Sequence, residues 1–219
     1  MSEGLHRLKQ EIIEAGKKLI RTGLVTGTGG NISARLPGDN RFLITPSGMD
    51  YEILQPEDIV LADLDAKVLE GHRKPSIETS LHAGIYRQRP DVGAIVHTHS
   101  LYASAVAAAR VSIPPILDSM VSGIGGSIDC AEYGIPGSPE LAAATAAALG
   151  SKNGALLANH GAVGVGPDMA KAYARAELVE RAAYTYICAC AIGQPVALDA
   201  ETMNREKAFL ASSYGQKKE

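Results

Sequence analysis

Three histidines and one glutamate carry most of the chemistry legible in this chain: His97 and His99 in AIVHTHS, His160 in LLANHG and Glu78 in KPSIET. Half of the six histidines fall in this set. Gly93 to Thr98 reads as a buried strand, and alternate side chains of a strand share a face. His97 and His99 therefore project together, with Thr98 behind them, and His160 comes from a separate strand end to close a third corner. Neutral imidazole suits zinc and its neighbours, Mn2+ and Co2+ among them, and three protein ligands with an open position describe a catalytic metal site. By itself, H-x-H is equally the mark of two unrelated core or surface histidines. The third His in a tight Asn-His-Gly turn and the Glu turn the reading to a metal. Glu78 falls in the expected first turn of a helix, where the macrodipole favours its charge. There it is either a capping carboxylate or, beside a metal, a displaceable ligand that becomes a general acid/base when substrate coordinates.

Three small-residue turns offer anion-binding groups. Thr28-Gly29-Gly30-Asn31 supplies a hydroxyl, a side-chain amide and closely spaced backbone N–H groups, and Thr45-Pro46-Ser47-Gly48 is a second such turn. Ser76 sits at an expected helix N-terminus, whose partial positive charge favours a phosphate. Glycines let the backbone approach a ligand, and consecutive N–H groups form anion nests. Each turn alone is as readily a matter of chain geometry; converging on one metal, the three suit a single phosphate. No Gly-Lys-Ser/Thr follows a Gly-rich loop, so a P-loop is not indicated. No G-x-G-x-x-G stands between a strand and a helix, which disfavours a dinucleotide.

These residues need elements to position them. Leu5, Leu8, Ile12, Ala15, Leu19 and Ile20 recur at helical spacing, and Gly23 offers a stop. After the turn from Thr26 to Asn31, NISARL reads as a short strand, as do Arg41 to Thr45 and Ile59 to Leu64. Ser76 is the expected N-cap of a helix from Ile77 to Gln88. The strand bearing His97 is followed by an Ala-rich helix through Arg110. Ser138-Pro139-Glu140 starts a helix to Leu149, with Pro at the first helical position. Gly154 to Asn159 and Ala162 to Val165 make a strand pair around His160. Asp168 caps a long helix to Ala191, and a polar helix runs from Asp199 to Ser212. Strands and helices interleave without linker, repeat or low-complexity tract, so the reading is a single α/β domain over residues 1–219.

The bulk properties agree with that reading. The chain of 219 residues is long enough to bury roughly 70 % of its unfolded surface without staples. Hydrophobic residues make up 46 % and charged residues 21 %, as in an ordinary globular protein. A net charge of -3 with scattered Lys and Arg points away from nucleic acid and from a polybasic membrane surface. The first residues, MSEGLHRLKQEIIEAGKK, lack an apolar signal core, and no stretch approaches the roughly 20 apolar residues that cross a bilayer. Cys130, Cys188 and Cys190 form no C-x-x-C pair and read as buried, reduced thiols. A cytoplasmic location is the expectation.

Taken in order, GLVTGTGGNIS, LITPSG, KPSIE, VHTHS, SIPPILDSM and LLANHG, with Tyr214-Gly215 near the end, resemble the class II aldolase/adducin family over nearly the whole chain. The likeness is greatest to the family's aldolases of deoxyketose 1-phosphates. The resemblance implies a central, largely antiparallel β-sheet flanked by helices. It implies zinc held by His97, His99 and His160, with Glu78 completing the resting site and acting as acid/base. It implies a substrate-phosphate pocket made of Thr28, Gly30, Asn31, Ser47, Gly48 and Ser76. It further implies a homotetramer with active sites between subunits, into which a C-terminal tyrosine, here Tyr214, reaches as a second catalytic group.

The activity so implied is reversible cleavage of a small phosphorylated sugar, a ketose 1-phosphate, to dihydroxyacetone phosphate and an aldehyde. Sugar-phosphate 4-epimerases, dehydratases and decarboxylases share the scaffold, though the epimerases typically have Asp where this chain has Glu78. Adducin-type heads are non-catalytic interaction modules, and retention of all four metal-site residues points away from them. Two positions depart from the aldolase pattern. Ile77 replaces a second Ser of the phosphate loop, removing one hydroxyl donor and leaving a backbone N–H. Asp118 stands in place of a catalytic Tyr, and a carboxylate donates no proton at neutral pH unless its pKa is raised.

Overall fold

The computed structural model describes residues 3–213. Eight strands form one sheet: β1 (Asn31–Arg35), β2 (Arg41–Ile44), β3 (Val60–Asp63), β4 (Val68–Glu70), β5 (Ala94–Thr98), β6 (Asp129–Ala131), β7 (Gly154–Leu157) and β8 (Gly161–Gly166). Their order is β4-β3-β2-β1-β5-β8-β7-β6. Every pairing is antiparallel except β6 with β7. The expected largely antiparallel sheet is therefore the one observed.

Helices cover both faces. On one side lie α2 (Thr79–Gln88) and α5 (Pro139–Leu149), whose Leu81, Ile85, Leu141 and Leu149 pack on Phe42, Ile95 and Val163. On the other lie α1 (Glu3–Arg21) and α6 (Met169–Ile192), whose Ile12, Leu19, Ala172 and Ala176 meet Ile32, Leu43 and Val96. Beside α6, α3 (Leu101–Ala108) and α4 (Asp118–Gly123) enclose a further apolar cluster. Because both faces are covered, β5 and β8 are buried along their whole lengths and read as near-continuous apolar runs. α7 (Ala200–Ser213) follows α6 and contacts α4.

Antiparallel pairing decides where the chemistry goes. β1 begins, β5 ends and β8 begins at one end of the sheet's central strands, because Asn31 pairs with His97 and Thr98 with Ala162. Segments far apart in sequence thus deliver Asn31, His97, His99 and His160 to one place. The close fit demands glycine: a Cβ on Gly30 would lie 2.5 Å from the His97 carbonyl oxygen, and Gly30 also has φ +69°. A Cβ on Gly161 would lie 2.2 Å from the Thr98 carbonyl oxygen.

Three expectations need correction. The helix expected from Ile77 begins at Thr79, and Ser76 is not its cap. Ser76 is held in extended pairing, its N–H donating to the Thr45 carbonyl at 3.0 Å, so the chain turns helical only after Glu78. The three cysteines are unpaired, but Cys188 and Cys190 are exposed and Cys130 half-buried. The cause is the length of α6: its 24 residues outrun the sheet, and its last buried residue is Ala183. β4, β6 and α4 were not legible at all, being too short to display a period.

Candidate metal centre

His97 lies in β5 on the face that α2 covers, as its neighbour Ile95 does, and is fully buried. Its Nδ1 is 2.9 Å from the Ala162 carbonyl. A carbonyl only accepts, so Nδ1 carries the proton and Nε2 faces inward. His97 Nε2 lies 3.0 Å from His99 Nε2 and 2.9 Å from Glu78 Oε2. His160 enters from the turn between β7 and β8, its Nε2 3.5 Å from Glu78 Oε1. That turn is tight because Asn159 adopts φ +56°, a conformation asparagine tolerates. The three rings pack edge-on or tilted with centroids 4.8–5.0 Å apart.

Glu78 is the N-cap residue of α2, yet its side chain makes no capping hydrogen bond. Its carboxylate instead turns into the histidine cluster. The four candidate ligand atoms lie within 4.8 Å of one another. Glu78 Oε1 and His160 Nδ1 are buried without a hydrogen-bond partner among the described residues. Leaving a buried carboxylate oxygen unpartnered costs about 1–3 kcal/mol or more. A divalent ion among these donors would satisfy Glu78 Oε1 and the inward-facing Nε2 of His97 together, so the residues fit a metal.

The electrostatics follow from this crowding. Burial alone would raise the Glu78 carboxyl, but the charge and hydrogen bond of His97 outweigh it and hold the group well below the usual carboxylate range. Burial lowers His97, yet Glu78 more than offsets it and the net direction is upward. Burial, then the like charges of His97 and His160, push His99 down to about 4. Burial and His97 lower His160 as well. A divalent ion requires neutral imidazoles beside one anionic carboxylate; His99, His160 and Glu78 are shifted toward those states, and an ion would displace the proton that Glu78 favours on His97.

The anion turns are stitched to the same end of the sheet. The Ser47 N–H donates to the Lys74 carbonyl at 3.0 Å, and Pro46 bridges Pro75, which joins the second turn to the segment carrying Ser76. The Tyr51 hydroxyl donates to the Gly29 carbonyl at 3.3 Å, beneath the first turn. A Cβ on Gly29 would stand 3.2 Å from His99 Nδ1, so that turn lies against the histidine cluster. Thr28, Ser47 and Gly48 are exposed, Gly30 is half-buried and Ser76 is buried. Asn31 is buried, and its amide is already committed: Nδ2 donates to Glu78 Oε2 at 2.8 Å while Oδ1 meets His82 Nε2 at 2.6 Å. Ile77 and Asp118 are both exposed. Tyr214 lies outside the described residues.

Sequence reasoning missed His82, Ser33 and Tyr86. Ser33 Oγ lies 2.6 Å from His82 Nδ1 and 2.8 Å from the Tyr86 hydroxyl. Their signal was present as two superposed periods, Asn31-x-Ser33-x-Arg35 in a strand and Glu78-x-x-x-His82-x-x-x-Tyr86 in a helix.

Comparison with known proteins agrees with this geometry. The family described as Class II Aldolase and Adducin N-terminal domain matches residues 10–187. The 5-deoxy-D-ribulose 1-phosphate aldolase of Bacillus thuringiensis serovar kurstaki is 38% identical over 213 residues, covering 97% of this chain and 99% of that protein. The L-fuculose phosphate aldolase of Escherichia coli K12 is 37% identical over 191 residues, 87% of each chain. A solved structure of L-fuculose 1-phosphate aldolase superposes with a TM-score of 0.89 at 37% identity, covering 94% of this chain and 96% of the other. The chain belongs to the class II aldolase and adducin family, and within it to the enzymes, as a lyase of the metal-dependent aldolase type.

Proposed function

We propose that this enzyme reversibly cleaves a deoxyketose 1-phosphate, of the L-fuculose 1-phosphate or 5-deoxyribulose 1-phosphate kind, to dihydroxyacetone phosphate and an aldehyde. The observation that carries the reading is Glu78: a buried carboxylate turned away from its capping role into three histidines, with one oxygen held by Asn31 and the other without a hydrogen-bond partner among the described residues. Zinc is the proposed ion, with Mn2+ or Co2+ as substitutes that the same donors accept. When bound, the ion supplies Lewis acidity that draws off the charge developing as the C3–C4 bond breaks.

His97, His99 and His160 hold the ion, and Glu78 completes its resting shell. Once substrate enters, Glu78 carries the proton at C3 of the three-carbon fragment, taking it in the condensation direction and returning it in cleavage. Thr28, Gly30, Asn31, Ser47, Gly48 and Ser76 receive the phosphate and align the chain of carbons. Asn31 takes part with its side chain already bonded to Glu78, so phosphate binding and Glu78 share one residue. Tyr214 donates to, or accepts from, the aldehyde oxygen. A homotetramer with sites between subunits is the proposed assembly; Ile192 at 91% and Val196 at 84% exposure are apolar surface for such packing. The proposed location is the cytoplasm, consistent with free cysteines and with no helix of the described residues being long and apolar enough to cross a membrane.

The test is a retro-aldol screen of ketose 1-phosphates, scored by the aldehyde released, alongside incubation with dihydroxyacetone phosphate in deuterated water. Exchange of one C3 hydrogen is expected. Zinc-loaded protein that exchanges none sinks the aldolase reading. Turnover of a pentulose 5-phosphate, or loss of water or CO2 without an aldehyde, would move the reading to an epimerase, dehydratase or decarboxylase. Indifference of all measured function to chelator would move it to an interaction module.

A further inference from the structure

Between β1 and α2 runs a buried ladder of polar side chains that ends on the metal centre. Asn31, Ser33 and Arg35 share one face of the strand, about 6.6 Å apart at two-residue spacing. Glu78, His82 and Tyr86 share one face of the helix, about 6 Å apart at four-residue spacing. The near-equal steps let each strand residue sit between two helix residues. Asn31 bonds Glu78 and His82, Ser33 bonds His82 and Tyr86, and the Arg35 Nη2 donates to the Tyr86 carbonyl at 2.9 Å. Ser33, His82 and Tyr86 are fully buried, so water does not compete for these groups.

The carboxylate dictates the direction of every bond. Glu78 only accepts, so Asn31 turns Nδ2 toward it and Oδ1 toward His82. His82 Nε2 must then carry the proton, which leaves Nδ1 to accept from the Ser33 hydroxyl. Ser33, its hydrogen committed, accepts from the Tyr86 hydroxyl. Burial of His82 pushes it down to about 3, in keeping with a neutral ring whose single proton sits on Nε2. Four side chains, Tyr86, Ser33, His82 and Asn31, thus have donors all aimed at Glu78, and such chains strengthen one another in a low dielectric.

We propose that His82 is a positioning residue of the metal centre: locked by Ser33 and Tyr86, its Nε2–H forces Asn31 to present its amide N–H, and not its carbonyl, to Glu78. The inference rests on the metal-centre reading above. A reversed amide would set Oδ1 against the Glu78 carboxylate and rotate that ligand out of its place among the histidines. Outer partners of this kind typically contribute 10- to 100-fold, roughly, to metal affinity or turnover.

The test compares full-length wild type with His82→Phe, His82→Gln, Asn31→Ala and the Asn31→Ala/His82→Phe pair. Zinc affinity is read by competition with a chromophoric chelator, and kcat and KM from C3 proton exchange on dihydroxyacetone phosphate. H82F should weaken zinc about 10-fold and lower kcat similarly, with a smaller rise in KM because Asn31 also belongs to the phosphate turns. H82Q, whose amide can both donate and accept, should recover most of the loss. In the Asn31→Ala background H82F should add nothing, since its effect passes through that residue. Folded H82F with wild-type zinc affinity, or losses fully additive with Asn31→Ala, would overturn the proposal. If H82F does not fold, Ser33→Ala carries the same comparison: weaker zinc supports it and unchanged zinc overturns it. Wild type that binds no zinc overturns both this inference and the metal-centre reading. Zinc binding without exchange overturns the aldolase reading alone, and the affinities still decide the role of His82.

Discussion

The site has two unlike halves. On the α2 side, the side chains of Glu78 and His97 are 4% and 0% exposed and continue into the buried ladder through Asn31, His82, Ser33 and Tyr86. On the opposite side, beyond His99, the residues Thr28, Ser47, Gly48 and Ile77 are exposed. The closed half holds its groups by complete hydrogen bonding in a low dielectric, where one lost partner leaves another group stranded. The open half is turn backbone and exposed side chains, where a substitution alters contact with a ligand and little else. Chemistry common to a family belongs in the first half, and choice of substrate in the second. The departures at Ile77 and Asp118 fall where exposed residues can change without disturbing the ladder.

Breaking the closed half should have the largest consequence. Glu78→Gln removes the proton carrier while nearly preserving shape, and C3 exchange should fall roughly 10^2- to 10^4-fold. Retained exchange in a folded, zinc-loaded variant would remove Glu78 as the base. Metal removal strikes the same half and should cost at least as much. Dialysis against a chelator should abolish turnover and lower stability, by about 2.7 kcal/mol relative to protein at a hundredfold excess of ion over Kd. Thermal unfolding with and without added zinc reads this directly; coincident curves would mean the ion contributes nothing to the fold.

Acid tests the same half through a different variable. The folded pKa of His82 is depressed to about 3 against 6.5 for the free group, so the unfolded chain binds the extra proton first. Its contribution is fully present above pH 6.5 and is lost as pH falls toward 3. At pH 5 that amounts to about 2 kcal/mol relative to pH 7.5. Metal-free wild type should therefore lose more stability than H82Q between these pH values in urea titrations. Parallel losses would contradict a neutral buried His82. The smallest effect is expected in the open half. Ile77→Ser restores a hydroxyl near the phosphate turns, and one hydrogen bond of about 0.5–1.5 kcal/mol predicts a KM lower by about 2- to 10-fold. Its stability should stay within about 0.5 kcal/mol of wild type, and a large fall in kcat would show that the two halves are not separable.

The legible part of the molecule was the part that follows from short-range spacing. His97 and His99 share a face because strands alternate, and Pro139 and Asp168 begin α5 and α6 as their chemistry requires. The Asn-His-Gly turn was readable for the same reason. What failed did so where a distant segment intervened. Ser76 looked like a cap, but pairing with Thr45 holds it extended and moves the helix start to Thr79. Likewise, no local spacing shows that the Asn31 amide takes a partner 47 positions away, Glu78. Cys188 and Cys190 read as buried because helical pattern alone does not say where the sheet beneath a long helix ends.

The sequence by itself determined the kinds of ligand, their local faces, the turns rich in small residues and the α/β alternation, because each depends on neighbours within about four residues. Only the tertiary structure decided that Glu78 leaves its capping position for the histidines, and that a strand face and a helix face interlock behind it. Those facts depend on register across an antiparallel sheet, where Asn31 meets His97 and Thr98 meets Ala162. Register is set by the packing of whole faces, and no local spacing in the chain contains it.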